Sequence, residues 1–130
     1  MKKIRAFKMM LSRGVVVSDE EATGTDLARL MDQHNIGAVV ILKGDKVIGL
    51  VSERDIVRRI NAKGLSPDNI KAKDFMTKKV VTAEFKDGLD KIYKKLCSVD
   101  FRHLPIVDKG RLVGIASQRD VLYSLLSVDR

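Results

Sequence analysis

The chain of 130 residues repeats itself at a spacing of 65. Shifted by that amount, residues 11–60 lie on residues 76–125 without a gap. An internal repeat constrains architecture before any single element does, because each copy must be one structural unit. Val15 and Val16 fall on Val80 and Val81, Ile41 on Ile106, Gly49 on Gly114, Ser52 on Ser117, Arg54 on Arg119 and Asp55 on Asp120. Ile36, Val39, Leu42, Val47, Ile48, Leu50 and Ile56 meet apolar partners. A copy of about 60 residues buries little by itself. The two copies are therefore expected to pack face to face with approximate twofold symmetry.

Within each copy the periodicity reads strand, helix, strand, strand, helix. Residues 15–17 and 80–82 are short β-branched runs, each leading into apolar residues at helical spacing. Leu27, Leu30 and Met31 mark that helix face in the first copy, and Leu89, Ile92, Tyr93 and Leu96 in the second. Residues 36–42 and 101–107 are apolar runs too short for a typical helix and read as buried strands. Lys43-Gly44-Asp45-Lys46 and Asp108-Lys109-Gly110-Arg111 supply hairpin turns into residues 47–51 and 112–116. A final helix follows in each copy. Residues 64–73, with Gly64, Ser66, Pro67, Asp68 and Asn69, read as the linker.

Composition narrows the function classes. Lys and Arg number 25 against 17 Asp and Glu, and the net charge of +8 divides into +4 in each half of the chain. An even division argues against a basic tail on a neutral domain. The longest apolar run, residues 36–42, is far below the roughly 18 residues of a membrane span, so no membrane partner is expected. Lys2, Lys3 and Arg5 are not followed by a secretory apolar stretch. One cysteine, Cys97, fits a reducing, cytoplasmic location, and with only His34 and His103 beside it no His/Cys metal site can be written.

The duplicated signature is Gly49-Leu50-Val51-Ser52-Glu53-Arg54-Asp55 and Gly114-Ile115-Ala116-Ser117-Gln118-Arg119-Asp120, placed where a strand gives way to a helix. One reading is a capping box, in which Ser accepts from a backbone N–H and the acidic residue reaches back. A second is a nucleotide site. A helix start favours an anion, Arg54 or Arg119 suits phosphate, and the carboxylate of Asp55 or Asp120 has two acceptor oxygens for a ribose diol. The two readings are compatible.

This repeat, closing on Gly, two apolar residues and Ser-x-Arg-Asp, resembles the cystathionine β-synthase (CBS) domain, and the tandem pair resembles a Bateman module. Phe101-Arg102-His103-Leu104-Pro105-Ile106-Val107-Asp108 and Asp74-Phe75-Met76-Thr77 are close to the family pattern in the second copy. The resemblance implies an α/β (α+β) fold of two β-α-β-β-α repeats packed with pseudo-twofold symmetry, with domains at residues 8–63 and 74–127 joined by 64–73.

It further implies a non-catalytic regulatory module with two clefts for an adenosine-containing ligand, AMP, ADP or ATP first, then NAD or S-adenosylmethionine, and no required cofactor. One cleft would use Ser52, Arg54 and Asp55 with Thr77, Val81, Arg102 and His103. The other would use Ser117, Arg119 and Asp120 with Ser12, Val16, Gly37 and Ala38. Gly37-Ala38-Val39-Val40 stands where the second copy has Arg102-His103-Leu104-Pro105, so the Asp55 cleft is expected to be the richer in phosphate-facing groups. A homodimer and a regulated partner protein belong to the same expectation.

Two other classes compete. A pI of 9.7 supports a nucleic-acid-binding protein, but 5% aromatic residues and the lack of a helix-turn-helix or Gly-rich signature weigh against it. An enzyme acting on a phosphorylated nucleotide needs a nucleophile, a base and an oxyanion donor, and no such set can be assembled from this sequence. Cys97, between Leu96 and Val99, reads as a small core or interface side chain.

Overall fold

The structure, a computed structural model, describes residues 15–98 and 102–126. Residues 16–80 form one compact unit, and residues from 81 onward, with Val15, belong to a second. The first unit runs β1 (Val17–Ser18), α1 (Gly24–His34), β2 (Ala38–Lys43), β3 (Lys46–Ser52) and α2 (Glu53–Asp55). Helix α2 continues directly into a π-helix, Ile56–Asn61, followed by a 3-10 turn, Pro67–Asn69, and α3 (Ala72–Phe75). The second runs β4 (Ala83–Glu84), a 3-10 turn (Phe85–Asp87), α4 (Leu89–Ser98), β5 (His103–Asp108), β6 (Arg111–Ser117) and α5 (Gln118–Leu126). Each unit thus holds a three-stranded sheet with helices, an α+β arrangement.

In both sheets the first strand pairs parallel with the second, and the second antiparallel with the third. The first strands lie further along the chain than the β-branched runs suggest. Only Val17 of residues 15–17 is in a strand, and residues 80–82 all precede β4. Pairing sets these limits: Val17 and Ser18 find Val40 and Ile41, and Ala83 and Glu84 find Ile106 and Val107.

The hairpins have two-residue loops of different type. Gly44 has φ 60° with an ordinary Asp45, the pattern of a type II′ turn, whereas Lys109 (52°) and Gly110 (79°) are both left-handed, as type I′ requires. Each hairpin then carries a bulge at the same place, between Ile41 and Leu42 and between Ile106 and Val107. In each ladder one extra residue, Ile48 or Val113, is left without an opposite number.

Helix α1 is capped at Thr23, whose hydroxyl accepts from Asp26 N–H (3.1 Å) while Asp26 accepts from Thr23 N–H (3.0 Å). These bonds to Thr23 hold the Asp26 carboxyl below its usual range. The helix ends on Asn35 in the left-handed conformation. It buries Leu27 and Met31 against Val39, Ile41, Val51, Ile60 and Phe75. The second core gathers Leu89, Ile92 and Leu96 of α4 with Ala83, Leu104, Ile106, Ala116 and Val121. Leu27 and Ile92, 65 residues apart, are both fully buried. Cys97 is exposed on α4 rather than in that core.

Residues 64–73, read as a linker, are bonded into the first unit. Gly24 N–H donates to Ile70 O (2.9 Å), Ala72 N–H to Ala22 O (2.7 Å) and Lys73 N–H to Glu20 O (3.1 Å). Thr25 donates its hydroxyl to Asp68, and Glu21 sits between Lys71 (2.6 Å) and Lys73 (2.8 Å).

Candidate functional site

The duplicated Ser-x-Arg-Asp motif is a reciprocal cap in both units. Ser52 N–H donates to Asp55 Oδ2 (2.8 Å), the Ser52 hydroxyl donates to the same oxygen (3.1 Å), and Asp55 N–H donates to Ser52 Oγ (3.2 Å). Likewise Ser117 N–H donates to Asp120 Oδ2 (3.2 Å) and Asp120 N–H to Ser117 Oγ (3.0 Å). In each motif the box engages one carboxylate oxygen, Oδ2, and leaves Oδ1 outside it. The capping reading therefore holds, and each Asp still carries an oxygen able to accept from a ligand.

The hairpins decide what stands beside each cap. Ala38 lies opposite Ser52 and His103 opposite Ser117. Directly opposed residues share one face of the sheet. Gly37 also touches the first motif, since its carbonyl accepts from Glu53 N–H (2.9 Å). The expected sets place Gly37 and Ala38 with Asp120, and His103 with Asp55; within the first unit Gly37 and Ala38 neighbour the Ser52 motif, and within the second His103 neighbours the Ser117 motif. Without the bulges, Gly37 and Arg102 would have faced Ser52 and Ser117.

Thr77 lies close to the first motif. It exchanges two backbone bonds with Leu50, at 3.0 and 3.1 Å, two residues before Ser52 on β3. Val81 packs against the second core, and Val16 accepts from Val40 N–H (3.4 Å) beside β2. Arg54 is half-buried, while Arg119 and Arg102 are exposed. Ser12 and Phe101 lie outside the described residues.

The structure adds a residue that the sequence reading missed. Arg59, on the π-helix, places Nε 3.4 Å from Asp55 Oδ1 and donates from Nη1 to the Phe75 carbonyl at 2.8 Å. Its spacing of four from Asp55 was the available signal. At the matching position the second copy has Ser124, which is buried and donates to the Asp120 backbone carbonyl (3.1 Å).

An open cleft of about 530 Å³ lies on the first unit, lined by Asp19, Glu21, Asp26 and Arg29 among others. It takes in none of the candidate residues. Among the described residues no group of His, Cys, Asp and Glu is arranged to hold a metal ion, and no helix is long and apolar enough to cross a membrane.

The family model described as "CBS domain" matches residues 5–62 and 72–127. An uncharacterized protein of Methanopyrus kandleri is 36% identical over 112 residues, covering 85% of this chain and 57% of that protein. An uncharacterized 17.7 kDa protein of Acidianus ambivalens is 35% identical over 120 residues, covering 88% and 69%. The chain thus spans little more than half of the first relative's length. Among solved structures, a CBS-domain containing protein from Agrobacterium tumefaciens superposes with a TM-score of 0.81 at 30% identity, covering 92% of this chain and 98% of that one. A CBS domain pair crystallised with 5′-methylthioadenosine and S-adenosyl-L-methionine superposes with a TM-score of 0.76 at 25% identity, covering 92% and 94%.

Proposed function

We propose, from the premise that this chain belongs to the CBS domain family and carries two such domains in tandem, that it is a non-catalytic regulatory module whose two Ser-x-Arg-Asp motifs each hold an adenosine-containing ligand. The observation that supports this reading best is the state of the motif carboxylates. Each is fixed by its serine through Oδ2 while Oδ1 lies outside the box, a preorganised acceptor for a ribose diol. The related pair solved with two adenosine compounds supports the ligand class.

The reading takes residues 8–63 and 74–127 as the domains and 64–73 as their connection. Ser52, Arg54, Asp55 and Thr77 form the nucleus of one ligand set, and Ser117, Arg119 and Asp120 that of the other. Val81, Arg102, His103, Ser12, Val16, Gly37 and Ala38 complete them. AMP, ADP and ATP are the first ligands to try, then NAD and S-adenosylmethionine. Binding signals only if the ligand favours one conformation over another, and the readout is a second copy in a homodimer or a regulated partner in the cytoplasm.

Isothermal titration of the whole protein with these ligands tests the reading. Asp55→Ala and Asp120→Ala are each expected to abolish one of two binding events or weaken it by about tenfold or more, the cost of losing hydrogen bonds to a charged acceptor. No binding of any of them at millimolar concentration would overturn the assignment. Salt-steep binding of DNA or RNA without competition by nucleotides would favour the nucleic-acid alternative.

A further inference from the structure

The two motif carboxylates are built alike but are not in the same state. Asp55 Oδ2 already accepts two bonds from Ser52, so its capacity for further donors is concentrated on Oδ1. Arg59 Nε stands 3.4 Å from that oxygen. The Arg59 side chain is held there from its other end, because Nη1 donates to the Phe75 carbonyl at the end of α3. Asp55 is 17% exposed at its side chain and Arg59 is 49% exposed, so the cation is the more exposed partner of the pair. Asp120 has no cation paired with it among the described residues, and Ser124 at the matching position turns inward to a backbone carbonyl.

We infer that Arg59 is an internal latch on the Asp55 site: it occupies the carboxylate oxygen that a ribose diol needs, and a diol-bearing ligand binds there by displacing it. This rests on the reading of Asp55 as a ribose acceptor. The latch makes the Asp55 site the weaker of the two for an uncharged nucleoside, and it sets the energetic difference between occupied and empty states at the carboxylate itself. The contact is long and its cation is half-exposed, so its displacement is cheap and the site stays usable.

The test uses the full chain with Asp120→Ala, which leaves the Asp55 site alone, and compares adenosine with 2′-deoxyadenosine by isothermal titration. Removing the latch with Arg59→Ala is expected to tighten adenosine about two- to fivefold, the range of an ion pair with an exposed cation, and to tighten 2′-deoxyadenosine, which keeps only one hydroxyl of the diol, by less. Arg59→Gln removes the charge yet keeps an amide donor for the Phe75 carbonyl, and the same ratio is expected from it should the alanine variant fold poorly. Adenosine affinity that is unchanged or lowered, or an equal gain for both nucleosides, would overturn the latch while leaving the nucleotide reading intact. Failure of the Asp120→Ala protein and both Arg59 variants to bind either nucleoside would overturn the Asp55 site, and the latch with it.

Discussion

Gly49 lies on β3 directly under Met76, whose side chain is itself buried, and a Cβ at position 49 would overlap the Met76 sulfur. The glycine at the head of the motif is therefore a packing requirement in the first unit, set by the segment that carries Thr77. Gly49→Ala is expected to destabilise the chain by about 1–3 kcal/mol, the cost of overpacking, read from the urea midpoint. Adding Met76→Ala to it should recover part of that loss, and a double-mutant cycle with no coupling would show that the contact is not the cause. At this scale the sequence was a good guide. Ser52, Asp55, Ser117 and Asp120 form the caps that their spacing announces. Arg59 was missed because its partners are a carboxylate one helical turn back and a carbonyl 16 residues on, and only the first of these is a local pattern.

At the scale of elements, the hairpins were legible and their bulges were not. A two-residue loop fixes the register near the turn, but nothing in the β-branched runs marks Ile48 and Val113 as unpaired. The bulge nevertheless chooses which side chain faces each serine. The bonds that hold residues 64–73 are not marked in the sequence, for a related reason. Gly, Ser, Pro and Asn advertise a loop, while the bonds that tie it down come from Glu20, Ala22 and Gly24, about 50 residues away.

Glu21 shows this tie electrostatically. The ammonium groups of Lys71 and Lys73 hydrogen-bond to its carboxylate and hold its pKa down from 4.5 to about 2. The same contact raises Lys73. A carboxyl whose folded pKa is depressed contributes stability above its unfolded value, and loses it as pH falls through the folded value. Between pH 4.5 and 2 the wild-type chain should therefore lose stability more steeply than Glu21→Gln, with the difference shrinking in 1 M salt because both partners are exposed. Parallel pH profiles of thermal midpoint for the two proteins would remove Glu21 from the account.

At the scale of the whole molecule, each unit has a core organised around one helix. Leu27 and Ile92 are fully buried at matching positions of the repeat. Leu27→Ala and Ile92→Ala should each cost about 2–5 kcal/mol in chemical denaturation, a large share of the roughly 5–15 kcal/mol available to a small protein. A loss below about 1 kcal/mol at either position would mean that its core collapses around the cavity or contributes little. The repeat foretold the apolar helix faces of both cores and the hairpin in each sheet. It did not foretell the division of the chain after residue 80, because residues 71–77 take their backbone bonds from the first copy.

The π-helix after Asp55 has a consequence for anyone carrying results from one half of the chain to the other. Ala62 N–H reaches back five residues to Val57 O, whereas the second copy runs on from its motif as a regular α-helix, Gln118–Leu126. Wider turns advance the side chains by a smaller angle per residue, so equal offsets from the motif cease to mean equal directions. Arg59 is exposed and Ser124 is buried although they align without a gap. Strand register therefore carries from one half to the other by adding 65 as far as Asp55 and Asp120; beyond them the two helices are separate territories, free to be selected, drugged or redesigned one at a time.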